Sequence, residues 1–298
     1  MKLATTTSDF HVYTRSQAEA LKYIRDAGFR YADYSFDWDY IRKNGVYSEN
    51  FQDYIDEINE AAKRADIQLV QAHAPMGRPL EDGGALLKDT LRCVDACGAW
   101  GIPNLVVHSG YSFGLTPEET FARNKEFFLP ILERAERYGL RILVENFNKM
   151  YIDGLFWIDN ATDLKRMIDL VNHPLFQAVW DVGHANLQKL PQDEELKLLG
   201  KHVCALHIHD NMGDIDAHLT PFFGNLNFDE LMTGLLEIGY NGFFTFEVGR
   251  VFTAPDKKRQ FPRNERIADA PLELRAAFER YLYELGKCIL QKYGCFEE

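Results

Sequence analysis

The sequence predicts an α/β fold, a (β/α)8 TIM barrel that forms a single domain over residues 1–298. Short β-branched or aromatic runs alternate with longer stretches of helical periodicity along the whole chain. This alternation repeats eight times, no glycine-rich phosphate loop follows the first predicted strand, and nearly every predicted strand ends in a polar residue. These three features favour a closed barrel over an open, doubly wound sheet.

Each predicted strand is a short run of mostly apolar residues. Residues 105–107 and 142–144 are apolar throughout, as expected where both faces of a parallel strand are covered. The predicted strands are Leu3–Thr7, Phe29–Phe36, Ile67–Ala74, Asn104–Ser109, Arg141–Phe147, Ala178–Gly183, Cys204–Asp210 and Phe243–Val248.

Helices are predicted between these strands, and several have recognisable ends. Thr116 followed by Pro117 is typical of a helix start, because threonine caps the first turn and proline suits the first helical position. Four glycines, Gly28, Gly101, Gly139 and Gly239, occupy predicted helix ends. The predicted helices cover residues 16–27, 51–64, 84–100, 117–137, 161–170, 193–200, 228–238 and 271–291. The charged segment 250–270 is predicted to be a long crossover before the last helix.

Charge and hydropathy exclude several classes of partner. The formal net charge is −12, and a surface of that sign repels nucleic acid and anionic membranes. No apolar run approaches the roughly 18 residues that cross a bilayer, and the first ten residues lack the apolar stretch of a secretory signal. The sequence therefore predicts a cytoplasmic protein with neither a nucleic-acid nor a membrane partner.

Acidic residues and histidines end the predicted strands. In barrels of this class the catalytic groups project from the carboxyl ends of the strands, so these residues are expected to meet at one mouth. Burying several carboxylates there is costly unless a cation neutralises them, which predicts a divalent metal ion. The residues concerned are His73, His108, Glu145, Asp181, His184, His207, His209, Asp210 and Glu247.

Four of them are spaced about one βα unit apart and fall on the last four predicted strands. They are Glu145, Asp181, His207 and Glu247. Carboxylates together with imidazoles suit hard or borderline metals and make a thiolate site improbable. The sequence thus predicts one ion, Mn²⁺, Co²⁺, Zn²⁺, Fe²⁺ or Mg²⁺, without choosing among them.

These motifs resemble the xylose isomerase-like TIM barrel superfamily, which contains sugar phosphate isomerases and epimerases, inosose dehydratase-like enzymes and endonuclease IV. The resemblance runs from Ala72 to Val248 and is carried by HAP, VEN, WDVGHAN, HIHDN followed by DAH, and FEV. For the epimerase branch it implies a metal ion held by Glu145, Asp181, His207 and Glu247, with His184 near a substrate oxygen. Relatives are often dimers or tetramers, so it also implies a homo-oligomer.

The predicted reaction is isomerisation or epimerisation of a ketose or related polyol. A metal ion would acidify the C–H bond between two bound oxygens and stabilise the enediolate. Glu145 and Glu247 would then be the catalytic acid and base on the two faces of one carbon. Six further residues are predicted to bind the sugar, namely His73, His108, His184, Asp216, His218 and Trp38.

Three alternatives remain open. An inosose dehydratase-like lyase would begin with the same proton abstraction. An endonuclease IV-like phosphodiesterase would use His73, His108, His184, Asp216 and His218 as additional metal ligands, although the acidic composition opposes DNA binding. A catalytically silent barrel would bind a sugar without turning it over, and it would not need both Glu145 and Glu247.

Details of the substrate are less firmly indicated. His209 stands where relatives often carry lysine, and strand alternation predicts that it faces away from His207. Arg78, Lys149 and Arg250 are the obvious cations beyond the strand ends, so an unphosphorylated sugar is favoured. Aromatic residues predicted to wall the sugar site are Phe36, Trp38, Tyr111, Phe113, Phe147 and Trp157.

Overall fold

A computed structural model describes residues 1–148, 156–249 and 270–298. Within them, eight parallel strands form one sheet in the order β7-β6-β5-β4-β3-β2-β1-β8. The strands are β1 (Lys2–Thr6), β2 (Tyr31–Ser35), β3 (Gln68–His73), β4 (Asn104–Val107), β5 (Arg141–Glu145), β6 (Phe176–Asp181), β7 (Val203–His207) and β8 (Phe243–Phe246).

The sheet closes on itself between β7 and β8. Ile208 forms a parallel bridge with Phe246, its N–H donates to the carbonyl of Thr245 at 2.8 Å, and its carbonyl accepts from the N–H of Glu247 at 3.1 Å. The predicted α/β TIM barrel is therefore confirmed. Most of the predicted strands ran one to three residues too far at their carboxyl ends, because the chain leaves the ladder there to build the mouth.

Helices surround the barrel at the predicted positions, and two short helices were not predicted. The α-helices are α1 (Gln17–Ala27), α2 (Asp37–Arg42), α3 (Phe51–Ala65), α4 (Ala85–Trp100), α5 (Pro117–Glu136), α6 (Ala161–Val171), α7 (Val182–Leu187), α8 (Gln192–Leu199), α9 (Phe228–Glu237) and α10 (Leu272–Lys292). The unpredicted ones, α2 and α7, follow strands directly and are too short to show periodicity. Of the crossover predicted for 250–270, only residue 270 lies within the described residues.

The predicted helix ends are confirmed. The Thr116 side chain accepts from the N–H of Glu119 at 3.2 Å, and the Glu119 carboxylate accepts from the N–H of Thr116 at 2.8 Å, so both groups of a capping box are present. All four predicted helix-end glycines have positive φ angles, from 62° to 118°. None of the helices in the described ranges combines the length and apolar character that a bilayer crossing requires.

The barrel interior is divided between apolar and polar side chains. Val106, Leu143, Val179 and Ala205 form a small apolar cluster separate from the main core between strands and helices. Another set of strand residues is polar and almost fully buried: Thr5, Asp33, Gln71 and Thr245. Both apolar and polar strand residues are therefore buried in the barrel.

A buried carboxyl group in α2 makes stability depend on pH. Asp39 is 3% exposed and accepts hydrogen bonds from the hydroxyls of Tyr34 at 2.7 Å and Tyr54 at 3.2 Å. Burial raises the pKa of Asp39 to about 7, against the lowering effect of these two donors. A carboxyl group whose pKa is higher in the folded state binds more protons there, so its contribution to stability falls as pH rises.

We therefore expect Asp39→Asn to gain stability relative to the wild type as pH rises from about 4 to about 8. The expected change in the difference between their free energies of unfolding is about 2–4 kcal/mol, since each pKa unit corresponds to roughly 1.4 kcal/mol. Urea unfolding of both proteins across this range measures it. Parallel curves for the two proteins would contradict the prediction.

Candidate metal centre

Six strands deliver the predicted residues to one mouth of the barrel. His73, Glu145, Asp181 and His207 are the last residues of β3, β5, β6 and β7, and His108 and Glu247 lie just beyond the ends of β4 and β8. Parallel strands end at the same edge, so these side chains converge although the chain separates them widely.

Glu145 is the centre of the arrangement and is 2% exposed. Its Oε2 accepts from Nε2 of His108 at 2.7 Å and from Nε2 of His73 at 3.3 Å. Its Oε1 accepts from Nδ1 of His207 at 3.0 Å and lies 3.5 Å from Nδ1 of His184. One carboxylate is therefore in contact with four imidazole rings.

Asp181 is fully buried and has two roles. Its Oδ1 accepts from the backbone N–H of His184 at 2.6 Å, which starts α7 directly after β6. Its Oδ2 lies 3.8 Å from Nδ1 of His207. Glu145, Asp181 and His207 can thus each offer one ligand atom within 4.8 Å of the others.

The fourth predicted ligand, Glu247, lies on the other edge of the His207 ring. Its Oε1 is 3.6 Å from Nε2 of His207, whereas Glu145 contacts Nδ1. Glu247 therefore groups with His73 and His207 and not with Asp181. The four groups of possible ligands among the described residues are Glu145, Asp181 and His207; His73, His207 and Glu247; His73, His108 and Glu145; and His184, His209, Asp216 and His218.

The prediction that His209 faces away from His207 was wrong. Nε2 of His209 donates to Oδ2 of Asp181 at 3.0 Å, the same oxygen that His207 approaches, and the His209 ring stacks on His218 with centroids 3.9 Å apart. Strand β7 ends at His207, so the alternation of a strand no longer applies two residues later. Asp210 is structural, because its carboxylate accepts from three backbone N–H groups in 211–226.

Opposing electrostatic effects act on the ionisable groups of the site. Burial lowers the pKa of His73, but the hydrogen bond and charge of Glu145 raise it to about 10. Burial likewise lowers the pKa of His207, and the charges of Glu247 and Glu145 raise it to about 9. Burial opposes ionisation of Glu145, yet His207 and His108 hold its pKa well below the usual range. The carboxylates therefore need positive charge beside them.

A divalent ion fits this need and this set of ligands. Ligand atoms about 2.0–2.2 Å from one ion lie roughly 3–4 Å from each other. Nδ1 of His207 lies 3.0 Å from Oε1 of Glu145 and 3.8 Å from Oδ2 of Asp181, and both distances fall within that range. Nitrogen and oxygen donors in such a mixture suit Mn²⁺, Co²⁺, Fe²⁺ or Zn²⁺.

Two buried residues below the site were not recognised in the sequence. Nε2 of Gln71 lies 2.9 Å from Nε2 of His207 and donates to Oδ2 of Asp33 at 2.9 Å. Both residues lie inside strands, whereas the predicted site residues lie at strand ends or in the segments that follow them. Their polarity within short buried strands was the available signal.

A cavity of about 330 Å³ opens above the site. Eight of the predicted site residues line it: Trp38, His73, His108, Glu145, His184, Asp216, His218 and Glu247. Asp181 and His207, both fully buried, lie outside this lining. Asp9, His11 and Asp37 also line the cavity, and no feature of the sequence had singled them out. The His11 ring stacks on Trp38 with centroids 3.1 Å apart.

The predicted aromatic wall is only partly present. Trp38 and Phe147 line the cavity, and Trp157 supports Phe147 by stacking at 4.0 Å between centroids. Phe36 is fully buried and packs against Trp100, and Phe113 is 60% exposed. Of the predicted cations, Arg78 pairs with Glu81 and does not line the cavity, and Lys149 and Arg250 lie outside the described residues.

Comparison with known proteins gives a consistent relationship. The model of the family described as "Xylose isomerase-like TIM barrel" matches residues 21–276. The uncharacterized protein MJ1311 of Methanocaldococcus jannaschii is 30% identical over 256 residues, which cover 80% of this chain and 85% of that protein. Fructoselysine 3-epimerase of Escherichia coli O157:H7 is 30% identical over 142 residues. The matched segment covers 47% of this chain and 50% of the epimerase.

Solved structures resemble this one along almost its full length. A D-tagatose 3-epimerase-like protein superposes with a TM-score of 0.72 at 21% identity, covering 99% of this chain and 100% of that one. D-psicose 3-epimerase from Clostridium cellulolyticum H10, solved with D-tagatose, superposes with a TM-score of 0.76 at 13% identity, covering 97% and 99%. At these identities the likeness shows the fold alone.

The geometry predicts which buried carboxylate matters for metal affinity. We expect Asp181→Asn to weaken Mn²⁺ binding by at least about 10-fold, because substitutions around metal ligands cost that much or more. The matched control is Asp210→Asn, which alters a buried carboxylate just beyond the end of the neighbouring strand β7 but outside the four groups. Calorimetric Mn²⁺ titration of both variants is the measurement. Equal losses of affinity would show that Asp181 is not a ligand.

Proposed function

This chain belongs to the xylose isomerase-like TIM barrel family, and on that premise we propose that it is a metal-dependent sugar isomerase or epimerase acting on a ketose or related polyol. One observation carries the proposal: Glu145 and Glu247 line one cavity and contact opposite edges of the His207 ring. Removal of a proton from one face of a carbon and return of a proton to the opposite face call for a group on each side of that carbon.

The residues divide the chemistry between them. Glu145, Asp181 and His207 would hold a divalent ion, and Glu247 would have to move from Nε2 of His207 to join them as the fourth ligand. The ion would supply the Lewis acidity that makes the C–H bond between a carbonyl and a hydroxyl carbon acidic. One glutamate removes the proton, and the other returns a proton to the opposite face or to the neighbouring carbon. His73, His108, His184, Asp216 and His218 hydrogen-bond substrate hydroxyls, and Trp38 packs against the apolar side of the sugar.

Both the names of the relatives and the electrostatics of the cavity support an unphosphorylated sugar as the substrate. The named relatives include a fructoselysine 3-epimerase and barrels resembling ketose 3-epimerases. Among the described residues, no lysine or arginine lines the cavity, so a substrate phosphate would lack the cation that usually binds it. A homo-oligomer, implied by the resemblance, stays a prediction.

Substitution of either glutamate tests the two-base chemistry. We expect Glu145→Gln and Glu247→Gln, each saturated with Mn²⁺, to lower epimerisation by at least about 100-fold, the usual scale for general acid–base catalysis. The assay follows incorporation of solvent deuterium into D-fructose, D-tagatose, D-psicose and inososes by NMR. Incorporation at one carbon identifies the reacting position, and loss of water from an inosose would identify a lyase.

The control is Glu195→Gln, which changes a partly buried glutamate that accepts from the N–H of Ala161 away from the cavity. It should exchange deuterium at the wild-type rate. Full activity in either Glu145→Gln or Glu247→Gln would exclude the mechanism. A metal-loaded wild type that exchanges no C–H proton across the panel would favour a silent, sugar-binding barrel.

A second candidate function is an endonuclease IV-like metal-dependent phosphodiesterase. The observation in its favour is the number of ligand groups: three of the four share Glu145 or His207, and the group of His184, His209, Asp216 and His218 shares no residue with the others. Several ions could therefore bind side by side, as in phosphodiesterases that use more than one metal. The net charge of −12 and the lack of lysine or arginine in the described lining oppose a DNA substrate.

Metal stoichiometry separates the two candidates. We expect one tightly bound ion per chain by plasma emission spectrometry, and no cleavage of bis(p-nitrophenyl) phosphate or of duplex DNA containing abasic sites. Retention of three ions together with phosphodiester cleavage would favour the second candidate. DNA binding would then weaken steeply with added salt, because bound counterions are released on association.

A further inference from the structure

Asp9 lines the cavity just after β1, and the proposed chemistry leaves it without a role. It sits in a short 3-10 turn, Thr7–Phe10, that directly follows β1, and it lines the same cavity as Glu145 and Glu247. The residue is 2% exposed. A carboxyl group buried this deeply at the mouth of the barrel needs partners for both oxygens.

Within the described ranges, a single oxygen of Asp9 has a hydrogen-bond partner. Oδ2 of Asp9 accepts from Nη2 of Arg275 at 2.5 Å, and Arg275 is fully buried in α10. The same guanidinium pairs with Glu279 one turn later, and Glu279 accepts from the hydroxyl of Thr5 at 2.5 Å. Arg275 therefore binds two buried carboxyl groups, and its hydrogen bond to Oδ2 orients Asp9.

The other oxygen, Oδ1, is buried and has no hydrogen-bond partner among the described residues. It lies beside Gly249, which also lines the cavity, and a Cβ atom built on Gly249 would be 2.5 Å from it. The glycine therefore leaves the space that Oδ1 occupies. Buried acceptors in folded proteins are nearly always satisfied, so an unsatisfied one at a substrate cavity points to a ligand as the missing partner.

We infer that Asp9 is a substrate-binding residue, whose Oδ1 hydrogen-bonds a hydroxyl group of the polyol. The inference rests on the proposed function, since it assumes a sugar in this cavity. It adds a determinant of specificity on β1, whereas the predicted site residues lie between β2 and β8.

The ionisation of Asp9 agrees with a hydroxyl as the partner. Burial raises the pKa of Asp9 to about 8, although Arg275 lowers it. Both the protonated and the charged forms therefore occur near neutral pH. A hydroxyl group donates to a carboxylate and accepts from a carboxylic acid, so it can bond to Asp9 in either form.

Equilibrium binding of ketoses tests the inference without turnover. The probes are D-fructose, D-tagatose, D-psicose and their singly deoxygenated derivatives, titrated calorimetrically into the Mn²⁺-loaded protein. Asp9→Leu has the same shape, cannot form a hydrogen bond, and leaves Arg275 paired with Glu279. We expect it to weaken binding of the preferred ketose about 5- to 20-fold, the worth of one net hydrogen bond. One deoxy derivative should bind wild type and Asp9→Leu equally.

The control is Glu279→Gln, which alters the same buried ion cluster but does not line the cavity. It should bind ketoses like the wild type, with any effect confined to stability. Gly249→Ala serves as a second variant if Asp9→Leu fails to fold, because its Cβ would displace Oδ1 while leaving the cluster charges intact. It should weaken binding in the same way.

The possible failures are distinguishable. Unchanged affinity in Asp9→Leu and Gly249→Ala, or an equal loss in Glu279→Gln, would overturn the role of Asp9 alone. Ketose binding that depends on Asp9 without any deuterium exchange would overturn the proposed function alone. A wild type that binds no ketose of the panel would overturn both.

Discussion

The convergence of buried negative charge at one mouth of the barrel is the constraint on which the rest of the site depends. Glu145 and Asp181 end neighbouring strands and are almost completely removed from water. An unpaired carboxylate in such a position is unstable, so the surrounding structure has to supply positive charge or hydrogen-bond donors. The imidazole rings, the backbone N–H of His184 that donates to Asp181 and the fit to a divalent ion all follow from that requirement.

The closure of the barrel and the assembly of the site depend on the same few residues. Ile208 forms the bridge that joins β7 to β8, and its neighbours along the chain are His207 and His209. Its carbonyl also accepts from the N–H of Glu247. The final hydrogen bonds of the barrel therefore fix how Glu247 and the two histidines stand relative to Glu145 and Asp181. A change in the pairing of β7 with β8 would therefore move candidate ligands on both strands.

Site residues that end strands could be identified from the sequence, whereas contacts that depend on three-dimensional packing could not. Residues that close strands, such as Glu145 and His207, could be identified because parallel strands end at one edge. The contact of His209 with Asp181 could not, since it depends on where β7 ends. The same holds for Asp9, which is tied to Arg275 266 residues later in the chain. The pairing of Asp9 with Arg275 is set by the packing of α10 against β1, and it leaves no local pattern in the sequence.

The number of bound ions decides which substrates the mouth can accept. Asp9, Asp37, Glu145, Asp216 and Glu247 line the cavity, and Asp181 lies in a ligand group that includes Glu145. Fully ionised, these carboxyl groups carry more negative charge than one divalent ion removes, and the raised pKa values of His73 and His207 offset only part of the remainder. A mouth with a single ion therefore lacks the excess of positive charge that a phosphate needs, and it suits an uncharged polyol. Three ions would cancel that charge and allow a phosphodiester to approach. The acidic lining therefore favours a sugar substrate only if a single metal ion is bound. The two candidate functions differ in whether the group formed by His184, His209, Asp216 and His218 also binds an ion.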